Sequence, residues 1–177
     1  MELIELVIAL LSAGPDCIEG RTAVQKLAYF ASIKLKQEAG YKADFYGPFS
    51  PLIAGDLQNL TELDFVVERG RQTARNRIMY SYSLTEDGRE LARKIAAENP
   101  KEFAVVKDIV TKCSTIVHCN YLVLSWAAKV HYVLRRAGRP MTHEEALEAS
   151  RTFGWKLKPE QIDTGVELLK VLGLIKS

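Results

Sequence analysis

The hydrophobic period changes twice along this chain, and the stretch between the two changes limits the folds open to it. Up to about Leu63 apolar residues recur every three to four positions. From Phe65 to Ser83 they alternate, and from Leu84 onward the helical period returns. Phe65-Val66-Val67-Glu68 reads as a strand and Gly70 to Asn76 as a loop. Arg77 to Ser83, with Ile78, Tyr80 and Tyr82 on one side, reads as the return strand. Three helices precede this hairpin. The first runs from Leu3 to Leu11 and stops at Ala13-Gly14-Pro15. The second runs from about Thr22, its cap, to Glu38, with Gly40 ending it. The third starts at Ser50-Pro51, where serine caps the free amides and proline gives up an amide that had no partner. Ala43 to Tyr46 between them reads as a short extended piece. Helix, helix, helix, strand, loop, strand is the order of a winged helix-turn-helix.

Beyond residue 84 the pattern is helical throughout. Leu84-Thr85-Glu86-Asp87-Gly88 opens a helix that ends near Asn99-Pro100. Lys101 to Val117 and Tyr121 to Arg136 read as two helices. They also read as one, because no Pro or Gly interrupts Lys101 to Ala137 and a 3-4 spacing runs from Phe103 through Val106, Val110, Cys113 and Val117 to Asn120, Leu124, Ala127, His131 and Leu134. Such a spacing, with one Asn, is what a coiled coil uses to set register. Homodimerisation through residues 100–137 is the expectation; the alternative is a monomer whose extension wraps its own core. Thr142 to Glu145 is a capping box, Lys158-Pro159 opens the last helix, and Gly173 closes it before Leu174-Ile175. Residues 121–175 also fit a degenerate second helix-turn-helix. The expected fold is mainly α, or α+β: a winged helix-turn-helix with a two-stranded β-wing over residues 1–99, and a C-terminal helical extension over 100–177.

Two short segments carry a family resemblance. Gly20-Arg21-Thr22-Ala23-Val24-Gln25-Lys26-Leu27-Ala28-Tyr29-Phe30 resembles the "GxTxxQKLxYxL" segment of YwgA-like proteins, and Phe45-Tyr46-Gly47-Pro48-Phe49-Ser50-Pro51-Leu52 resembles their "YGPYS" segment. The antitoxin-associated Panacea-type domain shares this "QKLxYF…GP" arrangement. The resemblance spans residues ~20–90 and implies a winged-helix fold, in families described as winged-helix or DNA-binding-like. Read residue by residue, Gln25-Lys26 belongs on the solvent flank of the second helix. Tyr46-Gly47-Pro48 is a tight turn that aims the third helix. Tyr29, Phe30, Phe45 and Phe49 are core aromatics.

Charge supplies the functional expectation. Residues 1–99 hold 12 Lys/Arg against 14 Asp/Glu and residues 100–177 hold 12 against 8, yet between Arg69 and Arg77 lie four arginines and no acid. Arg69, Arg71, Arg75 and Arg77, with Gln72 and Asn76, are therefore the wing residues expected on DNA phosphates. Four such contacts give a slope of log affinity against log salt of about −3.6. Gln58 and Asn59 on the third helix are the candidate base contacts. Against this, that helix contains Asp56 and Glu62 and no Lys or Arg. The leading expectation is a transcriptional regulator on double-stranded DNA. The alternative is a protein-interaction module, an adaptor or antitoxin-like partner, using the same fold without DNA.

Other classes lack support. No P-loop, GxGxxG, GxSxG or HExxH pattern occurs, and nothing near Cys17 supports a nucleophile, so no enzyme activity and no catalytic residues are expected. Cys113, His118, Cys119 and His131 do not follow a zinc spacing, so no metal or other cofactor is expected. Three cysteines, and the absence of both a basic leader and an apolar run long enough to span a bilayer, point to the cytoplasm and away from the membrane.

Overall fold

The computed structural model describes residues 1–74 and 76–176. Eight helices and five short strands lie among these residues. They run α1 (Leu3–Ala13), β1 (Ile18–Glu19), α2 (Arg21–Leu35), β2 (Lys42–Asp44), β3 (Gly47–Phe49), α3 (Pro51–Glu62), β4 (Val66–Gln72), β5 (Ile78–Leu84), α4 (Glu86–Glu98), α5 (Pro100–Val117), α6 (Tyr121–Ala137), α7 (His143–Arg151) and α8 (Pro159–Val171). The protein is mainly helical with a small antiparallel sheet. That sheet is ordered β1-β5-β4, and β2 and β3 form a separate hairpin. No helix among the described residues is long and apolar enough to cross a membrane.

Local chemistry sets several boundaries. Ser50 Oγ accepts from Ile53 N at 3.1 Å and Pro51 fills the first turn of α3. Thr85 Oγ1 accepts from Gly88 N at the start of α4, and Thr142 and Glu145 form the capping box of α7. The hairpin is longer than its apolar alternation suggested, because β4 continues through Arg69–Gln72 into the stretch read as loop. Thr22 is not a cap: α2 starts at Arg21, and Gly20, at φ 92°, precedes it in a conformation that favours glycine. Gly47 and Pro48 are strand residues paired to Asp44 and Ala43, so the turn falls on Phe45-Tyr46, one step before the Gly-Pro pair. Ile18 and Glu19, which carried no strand pattern, pair with Tyr82 and Ser81.

The core is built around α1 and α2. Leu6 to Leu11 and Ala23 to Ser32 are buried without interruption, because other elements close over every side of both helices. α1 packs against α2, α3, α4 and α5; α2 packs against α5 and α6. Residues 101–137 are two helices, broken where His118 and Cys119 both take left-handed backbone angles. Along the 3-4 spacing, Val106, Val110, Cys113, Leu124, Ala127 and His131 are buried in the same core as α1 and α2, while Asn120 caps α6. The apolar pattern that suggested a second copy is met within one protomer. α6, α7 and α8 pack on one another, and Leu174-Ile175 adds no strand.

Candidate interaction surface

Strand alternation divides the residues expected on DNA. In the β4–β5 ribbon, Glu68 stands opposite Tyr82 and Arg69 opposite Ser81, so side chains 66, 68, 70 and 72 share one face and 67, 69 and 71 the other. The first face meets the core through Val66, Tyr82 and Leu84. The second carries Arg69 and Arg71 beside Met79, Ser81 and Glu19. Arg71 Nη2 lies 3.4 Å from Glu19 Oε1, an exposed pair of little energetic weight. At the ribbon tip the Gln72 amide donates to the Asn76 side chain, and Arg77 turns toward a different cleft. Arg75 lies outside the described residues.

Gln58 lines a groove on the other face, between α3 and the ribbon, together with Glu62 and Glu68. Its amide is committed to Glu62 Oε1 at 2.8 Å. Asn59 is exposed on the same helix, and burial raises the carboxyl pKa of Asp56. The arginines of the ribbon and the polar residues of α3 thus line different depressions. The groove next to α3 has carboxylates on both walls, with Arg21 as its one cation among the described residues. Arg21 is itself engaged: Nε donates to Tyr82 Oη at 2.9 Å, Nη2 reaches Glu68 Oε2 at 3.3 Å, and the guanidinium covers the Tyr80 ring at 4.4 Å. Tyr82 Oη donates to Glu68 at 2.6 Å, so the three side chains form one network.

A second depression, a cleft of about 500 Å³, opens between the start of α2, the ribbon and the β2–β3 turn. Arg21, Arg77, Tyr80, Tyr46 and Tyr121 line it. Phe45, Tyr46 and Tyr121 continue one another edge to face, with ring centroids 4.9 and 6.3 Å apart. Phe45 is 76% exposed and Ile78 61%. Placing Phe45 in the core from sequence is therefore incorrect: the turn one residue earlier than expected swings it outward. Phe49 is half-buried, whereas Tyr29 and Phe30 are in the core as expected.

Four side chains hold this exposed turn from beneath. Gln25 Nε2 donates to Ser50 O at 2.9 Å and Gln25 Oε1 accepts from Ser50 N at 3.0 Å, completing a strand-like pair of bonds. Lys26 Nζ donates to Pro48 O at 2.8 Å, Ser125 Oγ to Tyr46 O at 2.6 Å, and Trp155 Nε1 to Asp44 O at 2.7 Å. Gly47, at φ 98°, lets the strand pass close to α6, where an added Cβ would lie 3.1 Å from Lys129 Cγ. Gln25 and Lys26 are therefore not on a solvent flank; Lys26 is only 2% exposed. Burial lowers its amine to about 7, with Asp44 opposing that shift and Lys129 adding to it. The two motifs that carry the family resemblance touch: the Gln-Lys pair of one grips the Gly-Pro-Phe-Ser backbone of the other. The anchors Ser125 and Trp155 were missed because no local pattern links them to a turn some 80 to 110 residues earlier.

Compared with protein-family models and with curated proteins, the chain matches none. The resemblance of residues ~20–90 therefore rests on the two quoted motifs alone.

Proposed function

We propose that this chain is a cytoplasmic winged-helix protein that binds a protein partner through the aromatic cleft beside the β2–β3 turn. The scaffold reading is supported by the order α1-β1-α2-β2-β3-α3-β4-β5 and by β1 pairing with β5, the return strand of the ribbon, which makes β5 the central strand. Three free thiols fit a reducing compartment. One observation carries the function: Phe45 is exposed, yet its turn is bonded to the core from four directions. A rigid aromatic side chain in water is the kind of anchor that protein interfaces use, because little conformational entropy is lost when it is covered. The carboxylate-walled groove beside α3 disfavours the close phosphate approach that major-groove reading requires.

Phosphate contact by the ribbon is the second reading, favoured by Arg69, which is exposed and free of carboxylate contact among the described residues. Site-specific photo-crosslinking in cells separates the two. A photoreactive phenylalanine analogue in place of Phe45 is expected to give an adduct that protease destroys and nuclease leaves intact, whereas the same analogue in place of Met79, on the ribbon face that carries Arg69 and Arg71, gives none. A nuclease-sensitive adduct at Met79, with no adduct at Phe45, would overturn the proposal.

A further inference from the structure

A cleft of about 670 Å³ opens among the last three helices, between α6, the segment before α7, and α8. Two of its walls are rows of apolar side chains one helical turn apart, Val130 and Leu134 on α6 and Ile162 and Val166 on α8. Met141, before α7, and Ile175, after α8, complete the apolar lining. Val130 and Ile162 are buried, whereas the other four are only half-buried, so the cleft keeps apolar surface in contact with water. No phenylalanine, tyrosine or tryptophan lines it among the described residues. Its rim is cationic. Arg139, His143, Lys170 and Lys176 stand on it, and no carboxylate lines it among the described residues. Two carboxylates approach from outside the lining, and both are engaged: Glu145 Oε1 accepts from Arg139 at 2.7 Å, and Asp163 Oδ1 lies 2.7 Å from His143 Nε2. Lys170 meets no carboxylate among the described residues. It follows Val166 by one turn, so the apolar row of α8 ends on a free ammonium.

We propose that this cleft binds a medium-chain aliphatic carboxylic acid. The hydrocarbon lies between the two apolar rows, where each covered methylene adds up to about fourfold in affinity. Branched walls and the Met141 thioether mould to a flexible chain, and no aromatic face is present to stack a ring. The carboxylate answers Lys170 and Lys176, compact cations on long stems that follow it as it seats. At 1.5 Å per residue the α6 wall from Val130 to Gly138 runs about 12 Å, room for an extended chain of about eight to ten carbons. The competing occupant is an acidic amphipathic helix of a partner protein, which would use the same apolar floor and cationic rim. A volume within the range of small-ligand sites favours the acid.

NMR of the full chain carrying ¹³C-methyl methionine separates them. Of the three methionines, Met141 lines this cleft, Met79 lines the aromatic cleft beside the β2–β3 turn, and Met1 lines neither. Titration with octanoate is expected to shift the Met141 methyl saturably and to leave Met79 where it is. Butanoate, four methylenes shorter, is expected to bind at least tenfold more weakly, and octanol, which lacks the charge, about fivefold more weakly. Lys170→Gln/Lys176→Gln, at exposed positions outside the core, is expected to weaken octanoate about fivefold and to leave octanol unchanged. No saturable shift at Met141 leaves the cleft to a partner's helix and overturns the proposal. So does a shift confined to Met79, equal affinity for octanoate and octanol, or a double lysine variant that binds octanoate as tightly as the parent.

Discussion

Lys26 puts an amine where a methylene chain would be expected, and its titration is a direct test of the turn it supports. An ordinary lysine amine titrates near 10.5, and burial lowers this one to about 7. Between those values the unfolded chain holds a proton that the folded chain has released, so stability rises with pH across that window, by up to about 1.4 kcal/mol per pH unit. Lys26→Met is expected to flatten this rise in urea-unfolding curves recorded between pH ~7 and ~10, while leaving Pro48 O unpaired at a cost of about 1–3 kcal/mol. His131 works on the other side of neutrality. Burial first, then Arg135, lowers it from 6.5 to about 4, so stability is lost as pH falls through that interval. The ring should remain neutral at pH ~5 in an NMR titration; a midpoint near its ordinary value would mean the Tyr29 contact does not hold. His131 was legible as a hydrogen-bonded histidine on the apolar 3-4 spacing, whereas Lys26 was not legible in this role. A Gln-Lys pair inside a helical stretch looks like a wet flank, and it is dry here because α6 and the β2–β3 hairpin close over it. Burial of α2 on every side is a property of elements 20 to 100 residues away, to which its own sequence gives no clue.

At the scale of elements, what was legible is what short-range chemistry dictates. Ser50-Pro51, Thr85 and Thr142 each begin a helix because a hydroxyl meets a free amide within three residues. The alternation from Phe65 to Ser83 gave the ribbon. The break between α5 and α6 was legible as one of two readings, two helices or one, since the 3-4 spacing runs through His118 and Cys119 without a glycine to mark their left-handed angles. The two-residue strand β1 escaped because it is too short for any period. Helix contacts left a different trace. α8 crosses α6 at Gly165, where an added Cβ would sit 3.1 Å from Ala127 Cα and 3.2 Å from Ala127 N. Replacing a mid-helix glycine by alanine ordinarily gains up to about 1 kcal/mol. Gly165→Ala is expected to lose about 1–3 kcal/mol instead, because backbone cannot retreat as a side-chain end can. A thermal melt that rises in this variant would show that α6 and α8 are less closely seated than described.

Over the whole molecule, charge and apolar exposure fall in different places. Arg69 and Arg71 stand on the outer side of the ribbon, Gln58 and Asn59 beside acids on α3, and Phe45 and its aromatic neighbours on the turn. Duplex DNA held only by the ribbon would therefore bind without regard to α3. In fluorescence anisotropy, Gln58→Ala/Asn59→Ala should leave duplex affinity unchanged. Arg69→Glu/Arg71→Glu should reduce the magnitude of the salt slope by about 2, the share of two phosphate contacts. A base-pair preference lost in the α3 variant would restore the regulator reading. The bond from Trp155 to the Asp44 carbonyl spans 111 positions of chain. A nascent polypeptide has already exposed Phe45 to the cell long before its indole clasp emerges from the ribosome. The fourth anchor is thereby tied to completed synthesis, and a chain cut short before α7 would hold the same aromatic residues by Gln25, Lys26 and Ser125 alone.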